Sequence, residues 1–210
     1  MERKPVIFEG KSIDYALALF FGFLALVSLS NAARLNSEAL EIESFAAVPL
    51  LIGASCSFAL RQAANMPAYR DEMLLPMLSF LSPFLVLNAN YLQANDLSLP
   101  AASLVAIPGI VLTCISMIYL RKSFAILPSV RQLVTAGPYR YIRHPMYLGE
   151  LIYVLGAMML AFSLLSLLFF ALFIVLLISR IRIEERKLMA EPAYLGYARG
   201  VRYRLIPMLY

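Results

Sequence analysis

Charge is scarce in this sequence: Asp, Glu, Lys and Arg make up 15% of its 210 residues, against about a quarter in an ordinary soluble domain. Tryptophan is absent, histidine occurs once and cysteine twice. Two cysteines exclude a disulfide scaffold, and Cys56 and Cys114 lack the paired spacing of a metal or redox motif. Both lie in apolar runs and are expected to be reduced, buried small residues. One histidine cannot build a histidine-rich metal centre, so no metal site is expected. Low polarity excludes disorder as well. What is present in excess is apolar, 61% of the chain, the composition of an integral membrane protein and not of a soluble globule. The surplus of 18 Lys and Arg over 13 Asp and Glu therefore bears on membrane topology and not on nucleic acid.

Six apolar stretches stand out, at 13–30, 45–60, 74–92, 101–120, 146–162 and 164–181. Each is close to the length, about 17 to 25 residues, that carries a helix across a bilayer. The last two form one run from Met146 to Ile181 with only Glu150 and Arg180 charged, too long for one span and suited to a helical hairpin turning near Ser163 to Ser166. Arg3, Lys4 and Lys11 ahead of an apolar segment could mark a signal peptide, but its length favours a retained span. Lys and Arg in the successive connections and termini number 3, 1, 2, 0, 5, 0 and 7, so alternate sides carry 17 against 1, with Arg34 alone on the poorer side. By the positive-inside rule both termini face the cytoplasm. The expected fold is all-α, a polytopic transmembrane bundle of about six spans with a C-terminal hairpin. Pro49, Pro76, Pro83 and Pro108-Gly109 read as kinks, and Gly53-Ala54-Ser55 as a close helix contact.

Polar residues gather in two segments that flank the hairpin. The first runs from Leu133 to Glu150, where Gly137-Pro138 makes a turn and Pro145 suits the first turn of a helix. The second runs from Arg180 to Leu188. A hairpin returns to the side it left, so Arg143 and His144 should face Glu184 and Glu185 across one site. Carboxylates there could take ribose hydroxyls or an ammonium, Arg a carboxylate, and aromatic faces a cation. The competing reading is plain: basic residues beside a span anchor topology, adjacent carboxylates pair with them, and Tyr populates interfacial belts. Glu150, about one turn inside the fifth span, is either a functional carboxylate or a snorkelling one paired with an interfacial Arg.

At these residues the sequence resembles the membrane methyltransferases related to isoprenylcysteine carboxyl methyltransferase, which also resemble phospholipid N-methyltransferases. The resemblance rests on Leu133-Val134-Thr135-x-Gly137-Pro138-Tyr139-x-Tyr141-x-Arg143-His144-Pro145-x-Tyr147-x-Gly149, then Glu184-Glu185-x-x-Leu188, Tyr194-x-x-Tyr197 and Arg204-Leu205-Ile206-Pro207. It covers roughly residues 120 to 208. It implies an S-adenosylmethionine-dependent methyltransferase with the cofactor at the cytoplasmic end of the last spans. Val134, Gly137, Pro138, Tyr139, Arg143, His144, Pro145, Tyr147 and Gly149 would line the pocket, and Glu184 and Glu185 would complete it. Gly149 would let the ligand approach the helix, and Tyr147 would present its ring near the sulfonium. Arg143, Arg180 and Glu185 are the catalytic candidates, Arg180 for positioning an anionic acceptor. The acceptor implied is a lipophilic or lipidated molecule, such as an isoprenylcysteine-like carboxylate, entering laterally from membrane lipid. The chain then divides into helices 1 to 4 at residues 1–120 and a methyltransferase core at 121–210, in a bacterial inner membrane or an equivalent bilayer facing the cytoplasm.

Two other functions fit parts of the sequence. A sterol-reductase-type enzyme has a similar C-terminal region but would use NADPH and is generally larger. A small transporter or scaffold could use kinked spans 3 and 4, with Asn88 and Asn90, as a pathway.

Overall fold

The computed structural model of the chain describes residues 5–6, 11–32, 48–49, 51–56, 59, 68–69, 75, 78–79, 82–83, 85–86, 99–120, 133–160 and 162–210. Among these the architecture is helical: α1 (Lys11–Ala32), α2 (Leu99–Leu120), α3 (Pro145–Leu160), α4 (Leu164–Leu188) and α5 (Pro192–Gly200), with a 3-10 turn at Gly137–Arg140. One antiparallel pairing of two-residue strands, β1 (Pro5–Val6) and β2 (Ala68–Tyr69), sets Pro5 opposite Tyr69 and Val6 opposite Ala68. Two helical segments are long and apolar enough to cross a membrane, Pro100–Leu120 and Leu164–Leu188, and two shorter apolar ones span Tyr15–Leu26 and Pro145–Leu160. The stretches 45–60 and 74–92 lie largely outside the described residues, as do Arg34, Pro76, Asn88 and Asn90.

Helix boundaries follow local chemistry. Pro145 opens α3, where its missing N–H costs no hydrogen bond. Ser163 caps α4: its hydroxyl accepts from Ser166 N–H at 3.1 Å, and the Ser166 hydroxyl accepts from Ser163 N–H at 2.9 Å. The chain therefore re-enters helix at Leu164, directly after the cap. At its other end α4 continues past Ile181 to Leu188, because Arg182 to Leu188 consists largely of good helix formers.

Small residues bring α2 and α3 together. A Cβ at Gly156 would stand 2.6 Å from Ala106 N, and one at Gly109 would stand 2.7 Å from Gly149 O and collide with Tyr153 N. A Cβ at Gly149 would collide with the Thr113 hydroxyl. The backbones approach this closely only because side chains are absent on both sides. The opposite face of α2 is bare: Leu104, Ile107, Val111, Ile115 and Ile118, spaced by three or four residues, are all exposed. One apolar stripe packs on the protein and the other faces outward, as a bilayer neighbour requires.

The main core joins Val86, Tyr147, Tyr153, Val154, Met158, Phe173, Leu177, Ile181 and Leu205, drawing on α3, α4 and the chain after α5. A second cluster packs Ala18 and Phe21 of α1 on Ala54 and Met117. Ser55 donates to Ala18 O at 2.7 Å, so the Gly53-Ala54-Ser55 run does serve helix packing. Both cysteines are free, but neither is buried: Cys56 is exposed, on the outward side of its helical segment, and Cys114 is half-buried.

Candidate active site

The start of α3 lies beside the end of α4, and a group of buried and half-buried polar side chains meets there. Glu185 is 4% exposed and is held from three elements. Its Oε2 accepts from Arg143 Nη1 at 2.6 Å and lies 3.5 Å from Arg204 Nε. Its Oε1 accepts from the Tyr194 hydroxyl at 2.6 Å and lies 3.0 Å from His144 Nε2. With the carboxylate as acceptor, the network assigns the Nε2 proton to His144. Arg143 reaches further: Nε donates to Val201 O at 2.7 Å, and Nη2 to Ala198 O and Arg202 O at 3.1 and 3.2 Å. The backbone adds Arg143 N to Tyr203 O at 3.0 Å and His144 N to Arg204 O at 2.8 Å. Arg143 and Glu185 thus lace the entrance of α3, the exit of α4 and the segment around 198–204 into one unit.

Glu184 looks the other way. Its Oε1 accepts from the Tyr147 hydroxyl at 2.6 Å and lies 3.8 Å from Arg180 Nε, while its Oε2 lies 3.8 Å from His144 Nδ1. The Tyr147 ring carries the Arg180 guanidinium 4.7 Å from its centroid and lies nearly parallel to the His144 ring, 5.5 Å away. Arg180 is 1% exposed, an intrahelical cation that only such partners make tolerable. Glu150, half-buried on α3, stands within electrostatic reach of Arg180 and Glu184. The Glu184 side chain is 16% exposed against 5% for Glu185, so Glu184 keeps accessible lone pairs.

The loop before α3 closes the site from a third side. Val134 and Pro138 are half-buried, and Tyr139 is buried. Gly137 adopts φ +62°, and a Cβ there would stand 2.6 Å from the Tyr119 ring, so position and backbone both demand glycine. The Tyr197 hydroxyl donates to Tyr139 O at 2.6 Å, tying the loop to α5. Burial pushes the Tyr197 hydroxyl up to about 12, and raises those of Tyr139 and Tyr194 as well, so all three stay protonated donors at neutral pH.

The structure therefore brings together His144, Tyr147, Arg180, Glu184 and Glu185, with Tyr139 nearby. It sets Gly149 against α2, where Gly109 and Thr113 fill the room a ligand would need. Pro145 is buried at the helix start and Arg143 spends most of its donors on protein carbonyls. Tyr194 and Arg204, given no role from the sequence, both meet Glu185; the sequence marks them only through the Tyr194-x-x-Tyr197 and Arg204-Leu205-Ile206-Pro207 motifs of the resemblance.

Residues 102–190 match the isoprenylcysteine carboxyl methyltransferase (ICMT) family. This part of the chain is ICMT-like. The matched ICMT segment takes in α2, the loop, α3 and α4 with the two glutamates, which is the ground on which the polar cluster stands. The family indicates a methyltransferase and a membrane protein, acting on a membrane-associated substrate. No curated protein matches the chain.

Proposed function

We propose that the chain transfers a methyl group from S-adenosylmethionine to a lipophilic acceptor that enters from the membrane. The observation that carries the proposal is the cluster of Glu184, His144, Tyr147 and Arg180 within the ICMT-like segment, at the end of apolar helices. Its donor set fits the cofactor: two charges of opposite sign, two aromatic faces and a partly exposed carboxylate. Bound S-adenosylmethionine supplies a methyl group on a sulfonium, electrophilic without further activation. Glu184 would accept from ribose hydroxyls or an ammonium, with the His144 ring beside it as a further polar wall of the pocket. The Tyr147 ring, already faced by the Arg180 guanidinium, would hold that cation in place beside the ligand. Val134, Gly137, Pro138 and Tyr139 would cover the ligand from the loop and exclude water.

Arg180 would draw in and orient an anionic acceptor, its charge concentrated by the apolar surroundings. A carboxylate acceptor needs no base, whereas an amine or thiol would give its proton to Glu150 or Glu184. Positioning the acceptor in line with the methyl is the larger part of the task. The same proposal includes about six spans with both termini in the cytoplasm, residues 1–120 shaping the acceptor side and 121–210 holding the cofactor. Calorimetric titration of the purified protein with S-adenosylmethionine, S-adenosylhomocysteine and NADPH tests it. Saturable binding of the first two is expected; binding of NADPH alone, or of none by a folded sample, overturns it.

A further inference from the structure

The chain after α5 does something the site does not require. From Arg204 to Tyr210 it closes on itself: the N–H groups of Arg204, Leu205 and Ile206 reach Tyr210 O at 3.0, 2.8 and 3.2 Å, and Tyr210 N reaches Ile206 O at 3.0 Å. The base of this loop is fixed, because Leu205 is 4% exposed in the main core and Arg204 O accepts from His144 N. Its tip is the reverse. Met208 is 91% exposed and Leu209 78%, and Met208 holds φ +68°, a left-handed conformation that costs a side-chain-bearing residue about 1 kcal/mol or more. A fixed base, a strained turn and two outward apolar side chains describe a tip presented to something apolar.

The charges around it say what. Arg199 and Arg202 are exposed next to the loop, and Arg182 and Arg186 are exposed on the last turns of α4. Among the described residues, the nearby carboxylates Glu184 and Glu185 are turned inward onto Tyr147 and Arg143, and Glu191 is half-buried. Tyr203, 37% exposed, follows Arg202 and precedes the loop along the chain. Apolar tip, tyrosine and arginines are the order of groups met on passing outward from acyl chains through the interface to phosphates. A bilayer is within reach, because α4, whose apolar length suits a membrane span, ends at this same side.

We propose that the 204–210 loop is a membrane-surface contact that dips Met208 and Leu209 into the adjoining leaflet and sets Arg199 and Arg202 on anionic phospholipid headgroups. The proposal is independent of the methyl-transfer reading. Juxtamembrane arginines recognise anionic lipid by charge, and the apolar tip fixes depth.

The chain has no tryptophan, so Leu209→Trp in the full chain is a single fluorescent reporter at a position with ordinary backbone. The protein is reconstituted in brominated phosphatidylcholine vesicles with and without brominated phosphatidylglycerol, against unbrominated controls, after its thermal melt is matched to the unsubstituted chain. Quenching of about twofold or more is expected with the anionic lipid, falling markedly in phosphatidylcholine alone and in Arg199→Gln/Arg202→Gln. Emission from water in both compositions overturns the proposal. So does quenching equal in both or indifferent to the arginines, and so does loss of quenching together with cross-linking between copies through position 209.

Discussion

Glu184 and Glu185 are neighbours on α4, yet successive helix positions point about 100° apart, so their carboxylates enter different surroundings. Glu185 meets Arg143, His144, Tyr194 and Arg204, and removing its charge leaves the Arg143 side chain, 9% exposed, without a counterion. Glu185→Gln should therefore cost about 3 kcal/mol or more of stability, seen as a lower melting temperature in detergent. An unchanged melt would show that the neighbouring carbonyls suffice to hold Arg143. Glu184 is more exposed; Tyr147 donates to it at 2.6 Å, while His144 and Arg180 stand 3.8 Å away, so Glu184→Gln should keep the fold. Its expected loss is in S-adenosylmethionine affinity, about tenfold or more for one hydrogen bond to a charged group. Titration of the two variants side by side separates a binding carboxylate from a structural one. The sequence puts Glu185, not Glu184, among the catalytic candidates, whereas the contacts give Glu185 a structural task; the groups that capture it from α5 and the chain beyond come from residues whose docking is a long-range event.

At the scale of elements, α2 and α3 make the closest backbone approach among the described helices. Gly149→Ala puts a methyl group into Thr113 and the Gly109 backbone, neither of which is a flexible side-chain end. The change should cost about 1–3 kcal/mol, measurable as a lower melting temperature. Wild-type stability in Gly149→Ala would mean that the helices can part slightly without loss. The glycine itself was conspicuous in the sequence, but its partner lies on another helix, and a local motif cannot tell room for a ligand from room for a backbone. Helix positions were more legible: α2 and α3 end within two residues of the apolar runs, and Pro145 and Ser163 mark starts by their own chemistry. The end of α4 was not, since helix-forming charged residues carry no stop signal.

The attachment of α5 to the loop gives a pH dependence. Burial raises the Tyr197 hydroxyl to about 12 from an ordinary value of 10.0, with Arg143 acting against the rise and Glu185 adding to it. The unfolded chain releases this proton first, so stability is complete below about pH 10 and falls as pH rises toward 12. Tyr194 and Tyr139, also raised, add to the same slope. Tyr197→Phe should flatten the fall in melting temperature between these limits while lowering stability at pH 8 through the lost bond to Tyr139 O. A slope identical to that of the unsubstituted chain would remove Tyr197 from this account.

For the whole molecule, the decisive feature is surface that no other described part of the chain covers. Leu104, Ile107, Val111, Ile115 and Ile118 form an outward stripe along α2, and Leu168, Leu172 and Val175 do the same on α4. Composition had already demanded a membrane; the structure adds which faces touch it, and that could not be read from helices apolar on nearly every side. The consequence is a substitution whose sign depends on the solvent. In water, Val111→Lys at an exposed position, 49% accessible, would change stability by about 0.5 kcal/mol or less. In a bilayer it places a charge near the centre of a span and costs about 2.5–3.5 kcal/mol of insertion. Val111→Lys should therefore reduce the membrane-integrated fraction and lower the melting temperature, while Arg199→Lys, at the polar end, should leave both unchanged. Equal behaviour of the two variants in an alkaline-extraction assay would mean that α2 faces water, and the bilayer would then have to be met through other helices.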